Sequence, residues 1–151
     1  MDNPATRVWL VTGAAKGLGS AIVNAALQNG DRVIATSRNA SGIHIPEAFR
    51  NNALSLPLDV SYRDEAAYQT VVQAGMERFG RIDVLVNNAG FGGITNFEET
   101  SETTIRAMFE VNLFGLMRVT RAVLPVMRRQ RGGHIFNIAS AAGYSAGPVP
   151  Y

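Results

Sequence analysis

Val8-Trp9-Leu10-Val11-Thr12-Gly13-Ala14-Ala15-Lys16-Gly17-Leu18-Gly19 is an apolar, β-rich run that feeds a glycine-spaced turn. Everything downstream takes its meaning from this stretch. Gly13 permits a sharp exit from the strand, Gly17 lets backbone approach a pyrophosphate, and Gly19 lets the next helix pack closely on the strand. Free N–H groups at the start of that helix then face the anion, with Lys16 and Leu18 beside them. The expected ligand is a nucleotide cofactor. Glycine-rich turns also join strands to helices without any ligand, so the loop has to be read with its neighbours. Its T-G-x-x-x-G-x-G spacing lacks the Lys-Ser/Thr of the phosphate loop in kinase-like NTPases, and it differs from the G-x-G-x-x-G form.

Outward from this loop, short apolar runs recur at Val8 to Val11, Arg32 to Thr36, Ala53 to Leu58, Ile82 to Val86 and His134 to Ile138. Stretches with helical spacing or capping chemistry separate them. Runs that are apolar on both faces, such as Val84-Leu85-Val86, suit strands covered by helices on each side. The pattern predicts an α/β fold, a Rossmann-like doubly wound parallel sheet. The first helix should end at Asn29-Gly30 with a glycine C-cap, and a second should open at Ser61, capped by its hydroxyl, and end near Phe79-Gly80. A third should begin at Ser101-Glu102, carry Ile105, Met108, Phe109, Leu116, Val119 and Val123 on one stripe, and bend or end at Pro125. Asn112 falls on that stripe, where periodicity alone reads it as a buried asparagine with satisfied partners. Asn39 to Phe49 and the tail from Gly143 read as loops.

Composition narrows the class. A chain of 151 residues that is 46 % hydrophobic and 17 % charged has the makings of one domain, residues 1–151. The net charge of +2 is spread among thirteen Arg and a single Lys, so neither nucleic acid nor a membrane surface is an expected partner. Without cysteine there are no disulfides or thiolate metal sites, and His44 and His134 are isolated, so no metal is expected. No segment has the roughly 20 consecutive apolar residues of a membrane helix. The expected location is cytoplasmic.

Five motifs, in order, resemble those of the short-chain dehydrogenase/reductase family. They are the loop Thr12 to Gly19, then Leu58-Asp59-Val60, Asn87-Asn88-Ala89-Gly90, Asn112, and Asn137-Ile138-Ala139-Ser140. The resemblance spans nearly the whole chain. It implies a nicotinamide cofactor held by Gly13, Lys16, Gly17, Leu18, Gly19, Asp59, Val60, Asn88, Ala89 and Gly90. Asp59 would accept from an adenine amino group while the Val60 backbone meets the ring edge, and Asn88 to Gly90 would stay small so that ribose lies against backbone. Without a ligand, the same residues read as a loop acid and an Asn/Gly turn. At the end of the second strand, Ser37 stands where an NAD-preferring member usually carries an acid. Arg38 follows it, and with Lys16 it could flank a 2′-phosphate. NADP(H) is therefore expected over NAD(H), the alternative being that Arg38 is a solvated loop charge.

The resemblance implies hydride transfer between nicotinamide and a carbonyl or alcohol substrate. Ser140 would hydrogen-bond the substrate oxygen, Asn112 would hold a water in a proton relay, and a tyrosine with a following lysine would move the proton. The Gly and Pro offsets from Ser140 put that tyrosine two positions beyond Tyr151; Tyr151 itself would serve only if the loop is shortened, and Tyr144, too close to Ser140, reads as a loop aromatic. Lys16, the only lysine, already belongs to the glycine loop. The chain therefore reads as the N-terminal part of a reductase, its sheet incomplete on the C-terminal side, with the fifth strand an exposed apolar edge. A homo-oligomer is expected of the complete protein, through the helix carrying Asn112. The competing class is a nucleotide-binding or regulatory module that holds cofactor without turnover. A methyltransferase on a similar sheet would share the first loop but not the N-N-A-G and Asn/Ser matches. The apolar loop Phe91 to Phe97 is suited to lining a pocket for a hydrophobic carbonyl compound.

Overall fold

The computed structural model describes residues 6–93 and 96–143. Five strands form one parallel sheet in the order β3-β2-β1-β4-β5: β1 Val8–Thr12, β2 Arg32–Ser37, β3 Ala53–Pro57, β4 Val84–Asn87 and β5 His134–Asn137. This is the doubly wound order, and the chain reverses direction across the sheet between β1 and β4. Helices α1 (Gly17–Gln28), α2 (Glu65–Phe79), α3 (Glu102–Phe109) and α4 (Leu116–Gln130) connect the strands. None among the described residues is long and apolar enough to cross a membrane.

The alternation of side chains along each strand divides the core into two layers. Val8, Leu10, Ile34 and Leu85 pack with α2 and α4, whereas Val11, Val33, Ala35, Val84 and Val86 pack with α1. Leu10, Ile34 and Leu85 are fully buried, each side chain contributing about 1.5–3 kcal/mol from leaving water. At the amino edge two carboxylates pin the strand entries. Asp31 accepts from the Arg7 amide and Trp9 Nε1, both at 2.9 Å, and Asp83 accepts from the Val8 amide at 2.9 Å.

Four local expectations are corrected. Helix α2 opens at Asp64, not Ser61: the Asp64 carboxylate caps the Ala66 amide at 2.9 Å, while the Ser61 hydroxyl donates to Asp59 at 2.7 Å. Ser61 lies three residues before that cap, in the turn held by Asp59. Pro125 does not end α4, which runs on to Gln130. Burial of Val123, Val126 and Met127 around it outweighs the roughly 3 kcal/mol cost of an interior proline. The segment expected as a loop from Asn39 carries short 3₁₀ turns at Ala40–Gly42 and Glu47–Asn52.

The stripe expected as one helix is split by a π-helical segment, Glu110–Gly115. Phe109, Leu113, Phe114 and Met117 stand exposed along this helix, and Asn112, inside the π-helical segment, is exposed rather than buried. Only Val119 and Val123 of that stripe reach the core. Strand β5 has one hydrogen-bonded neighbour, β4, and its Ile135 and Phe136 are exposed, as the expectation of an apolar edge required. Leu85→Ala should lower unfolding free energy by about 2–5 kcal/mol, because the central strand cannot collapse around the cavity. Chemical denaturation of the two proteins measures it.

Candidate functional site

Because all five strands run the same way, their carboxyl ends open on one edge. There the structure gathers Gly13 after β1, Arg38 after β2, Asp59 and Val60 after β3, Asn88 to Gly90 after β4, and Ser140 three residues past β5. The crevice at such an edge, where the winding reverses, is where ligands bind in open α/β sheets.

The glycine loop is locked from below. Asn88 Nδ2 donates to the carbonyls of Thr12 at 2.9 Å and Gly13 at 3.2 Å, and the Thr12 hydroxyl accepts from the amides of Asn88 and Ala89 at 3.0 Å each. The three glycines serve separate needs. Gly13 holds a φ of +68° with Ala89 and Asn88 so close that a Cβ would sit 2.9 Å from each. A Cβ on Gly19 would run into the Gly13 carbonyl and lie 2.5 Å from Asn88 Nδ2. Gly17, at φ +56°, faces open space. Two glycines thus make the junction tight and the third keeps the helix mouth open.

Lys16 is the N-cap residue of α1, and no side chain caps that end. The first N–H groups of a helix have no intrahelical partner and are available as donors for an anion. Lys16 and Leu18 are exposed, as is Arg38 on the neighbouring loop. That loop is held in shape locally: Ser37 Oγ donates to the Asn39 carbonyl, and Asn39 Oδ1 accepts from Ser41 N at 3.1 Å and Ser41 Oγ at 2.8 Å. Asp59 Oδ1 accepts from Ser61 N at 2.9 Å, which fixes the Asp59–Val60 turn, and Leu58 N donates to the Ser37 carbonyl at 2.8 Å, tying it to β2.

Asn112 sits within the π-helical segment and turns its amide onto the loop after β4. Its Oδ1 accepts from Phe91 N at 3.0 Å and its Nδ2 donates to Phe91 O at 2.8 Å. Gly90 is what allows this approach, since a Cβ there would stand 3.1 Å from Asn112 Oδ1. Ser140 is exposed, and its carbonyl accepts from Gly143 N at 3.0 Å. Tyr144 and Tyr151, weighed in the sequence as tyrosines near the site, lie outside the described residues. Gly93 and Phe97 of the β4 loop line an apolar cleft of about 240 Å³ with Ile105, Met108 and Phe109. A larger open cleft, about 470 Å³ beside Ala53 and Ser55 of β3, contains none of the expected site residues.

Sequence reasoning missed several residues that shape this edge. Buried Asn87 donates through Nδ2 to Thr120 Oγ1 at 3.0 Å and Asn137 Oδ1 at 2.9 Å, joining β4, α4 and β5. Glu110 pairs with Arg118 at 2.5 Å across the π-helical segment and with Arg63 at 3.2 Å. Tyr68, buried beside Arg118, donates to the carbonyls of Val60 at 2.9 Å and Tyr62 at 2.6 Å. A charged residue on each side of an apolar helical run was the available signal.

The Arg118 guanidinium beside Glu110 holds its carboxyl below the ordinary carboxylate range, and Arg63 adds to this, while burial pushes the Tyr68 hydroxyl up. A depressed carboxyl contributes stability that is present above its unfolded-state pKa and lost as pH falls through the folded value. Glu110→Gln should therefore melt below wild type at pH 7, with the gap closing on acidification to pH 3. Thermal melts across that range check it.

The family profile of the short chain dehydrogenases matches residues 7–151. An oxidoreductase of Botryotinia fuckeliana, BOA17, is 40 % identical over 145 residues, covering 95 % of this chain and 52 % of its own length. The NADP-dependent 3-hydroxy acid dehydrogenase YdfG of Salmonella typhi is 39 % identical over 147 residues, covering 94 % of this chain and 58 % of its own length. A short-chain dehydrogenase structure from Streptomyces avermitilis superposes with a TM-score of 0.87 at 41 % identity, over 96 % of this chain and 53 % of that one. The chain thus spans about half the length of the relatives it matches. With the sheet order, the carboxyl-edge crevice and the ordered motifs, these matches establish that the chain belongs to the short-chain dehydrogenase family.

Proposed function

We propose that this chain supplies the NADP(H)-binding half of an oxidoreductase acting on a small carbonyl or alcohol compound. The observation that carries the reading is the convergence on one sheet edge of an open glycine turn, an uncapped helix start and two exposed cations, Lys16 and Arg38. The residues fit the cofactor. Gly17 has open space on its Cβ side, and α1 starts there with no side chain capping its first N–H groups, which suits a pyrophosphate. When bound, the cofactor would supply or accept a hydride.

In this reading, Gly13, Gly17, Leu18 and Gly19 offer backbone to the pyrophosphate, and Asp59 and Val60 take the adenine. Asn88 holds the loop in shape, while Ala89 and Gly90 present backbone to ribose. Arg38, with Lys16, holds a 2′-phosphate: Ser37 leaves no negative charge there, and a guanidinium matches the phosphate oxygens. The name of YdfG, an NADP-dependent relative, supports the same preference. Ser140 would take the substrate oxygen, and Asn112 would hold the proton-relay side of the pocket through Phe91. Titration should give tighter binding of NADPH than of NADH. Arg38→Ala should weaken NADPH by about tenfold to a hundredfold, the value of a hydrogen bond to a charged group, and leave NADH unchanged. Tighter NADH binding, or an unchanged NADPH affinity in the variant, would defeat the assignment.

A second reading rests on one count. Lys16 is the sole lysine and belongs to the glycine loop, so these 151 residues carry no further lysine to lower a tyrosine pKa. We therefore expect this chain by itself to bind cofactor without turnover. Carbonyl-dependent NADPH oxidation measured on the purified 151-residue protein should stay at background. Turnover lost on Tyr151→Phe would overturn that expectation.

A further inference from the structure

Asn112, which meets Phe91 through both of its amide atoms, sits inside a π-helical segment, and that segment has a visible brace. Glu110 opens the segment and Arg118 lies just past its end, so the ion pair spans the whole irregular stretch. Both side chains are about four-fifths buried, unlike the exposed Arg106–Glu102 and Arg50–Glu47 pairs. The brace is anchored on its far side. Gly115, at the end of the segment, lies so close to Val60 that a Cβ would stand 2.5 Å from the Val60 carbonyl. That carbonyl also accepts from Tyr68, whose ring lies in the core beside Arg118. Arg63, from the loop after Val60, closes the circuit back to Glu110.

We infer that the Glu110–Arg118 pair, seated on Tyr68 and Val60, is a positioning device that holds Asn112 against Phe91 and so sets the loop beside the nicotinamide half of the cofactor groove. Its functional consequence rests on the proposed cofactor groove, but its structural one does not. A π-helical turn has poorer hydrogen-bond geometry than an α-helical one and persists where surrounding contacts favour it. Without the ion pair, the segment relaxes toward α-helical register and the Asn112 amide swings away from Phe91. Neither charged side chain touches the ligand groove in this scheme. Both act through Asn112.

Glu110→Gln keeps the shape of the side chain and removes its charge. In that variant, amide hydrogen exchange at Phe91 should speed up by at least about tenfold, while the amides of β4 keep their protection. Arg118→Met should do the same, Arg118→Lys should retain most of the protection, and Arg106→Ala should change nothing. NADPH affinity should fall by a factor of about 3 to 30, the range for residues that act through others. Affinity for 2′,5′-ADP, which fills only the adenine and 2′-phosphate half, should not move, whereas general damage to the fold would weaken both ligands. Unchanged Phe91 exchange in Glu110→Gln, or equal loss of 2′,5′-ADP and NADPH, would overturn the inference. If wild-type protein binds neither ligand, the proposed function fails, and Phe91 exchange still decides the positioning role.

Discussion

The structure depends on the junction of Thr12 with Asn88. One hydroxyl accepts two backbone amides, and one side-chain amide donates to two carbonyls, all within 3.2 Å. This knot lies where β1 and β4 are neighbours and their onward connections part toward opposite halves of the sheet. A parallel sheet has to open at such a point, and the gap is where a ligand can enter. The knot holds the gap at a fixed shape. Gly13 and Gly19 are glycine because the knot leaves no room for a Cβ, and α1 takes its direction from that contact.

A second constraint holds the other side of the crevice. The helix connecting β4 to β5 is not regular: its π-helical segment places Gly115 against Val60 and Asn112 against Phe91. Two loops that leave different strands are thereby joined through one helix. The polar contacts involved are each modest, a net of about 0.5–1.5 kcal/mol for an ordinary hydrogen bond, but leaving them unmade inside the protein costs more. The geometry of the edge therefore arises from satisfied polar groups as much as from apolar packing.

The matched relatives are longer than this chain. They are about twice as long as the stretch they share with this chain, and that stretch includes every strand from β1 to β5. Among the described residues, β5 pairs on one side, and Phe109, Leu113, Phe114 and Met117 belong to the exposed apolar surface. Bare apolar surface of this kind is costly in water and favours a covering partner.

Much of the architecture was legible in the chain. The five strands and the first helix with its glycine end come from period and capping, and the doubly wound parallel sheet from the rule that parallel strands need covered faces, all of which are local or nearly local signals. The glycine loop, Asp59–Val60 and the Asn88 to Gly90 turn could be named for the same reason: each is a short motif at a strand end. Relations between distant segments could not be read. Asp64, not Ser61, caps α2 because the chain up to Ser61 is tied into the turn around Asp59 and the helix starts only at Glu65. Asn112 is exposed inside a π-helical segment, and nothing in a 3.6-residue period announces one. Glu110, Arg118 and Tyr68 belong to no local motif, and folding sets them around Val60. Sequence alone determined most of the elements and put the motif residues at strand ends, along one edge of the sheet, since propensity and patterning act over a few residues. Only tertiary structure decided which polar groups meet across that edge, because their partners are separated by 21 to 77 positions in the chain and are chosen by packing.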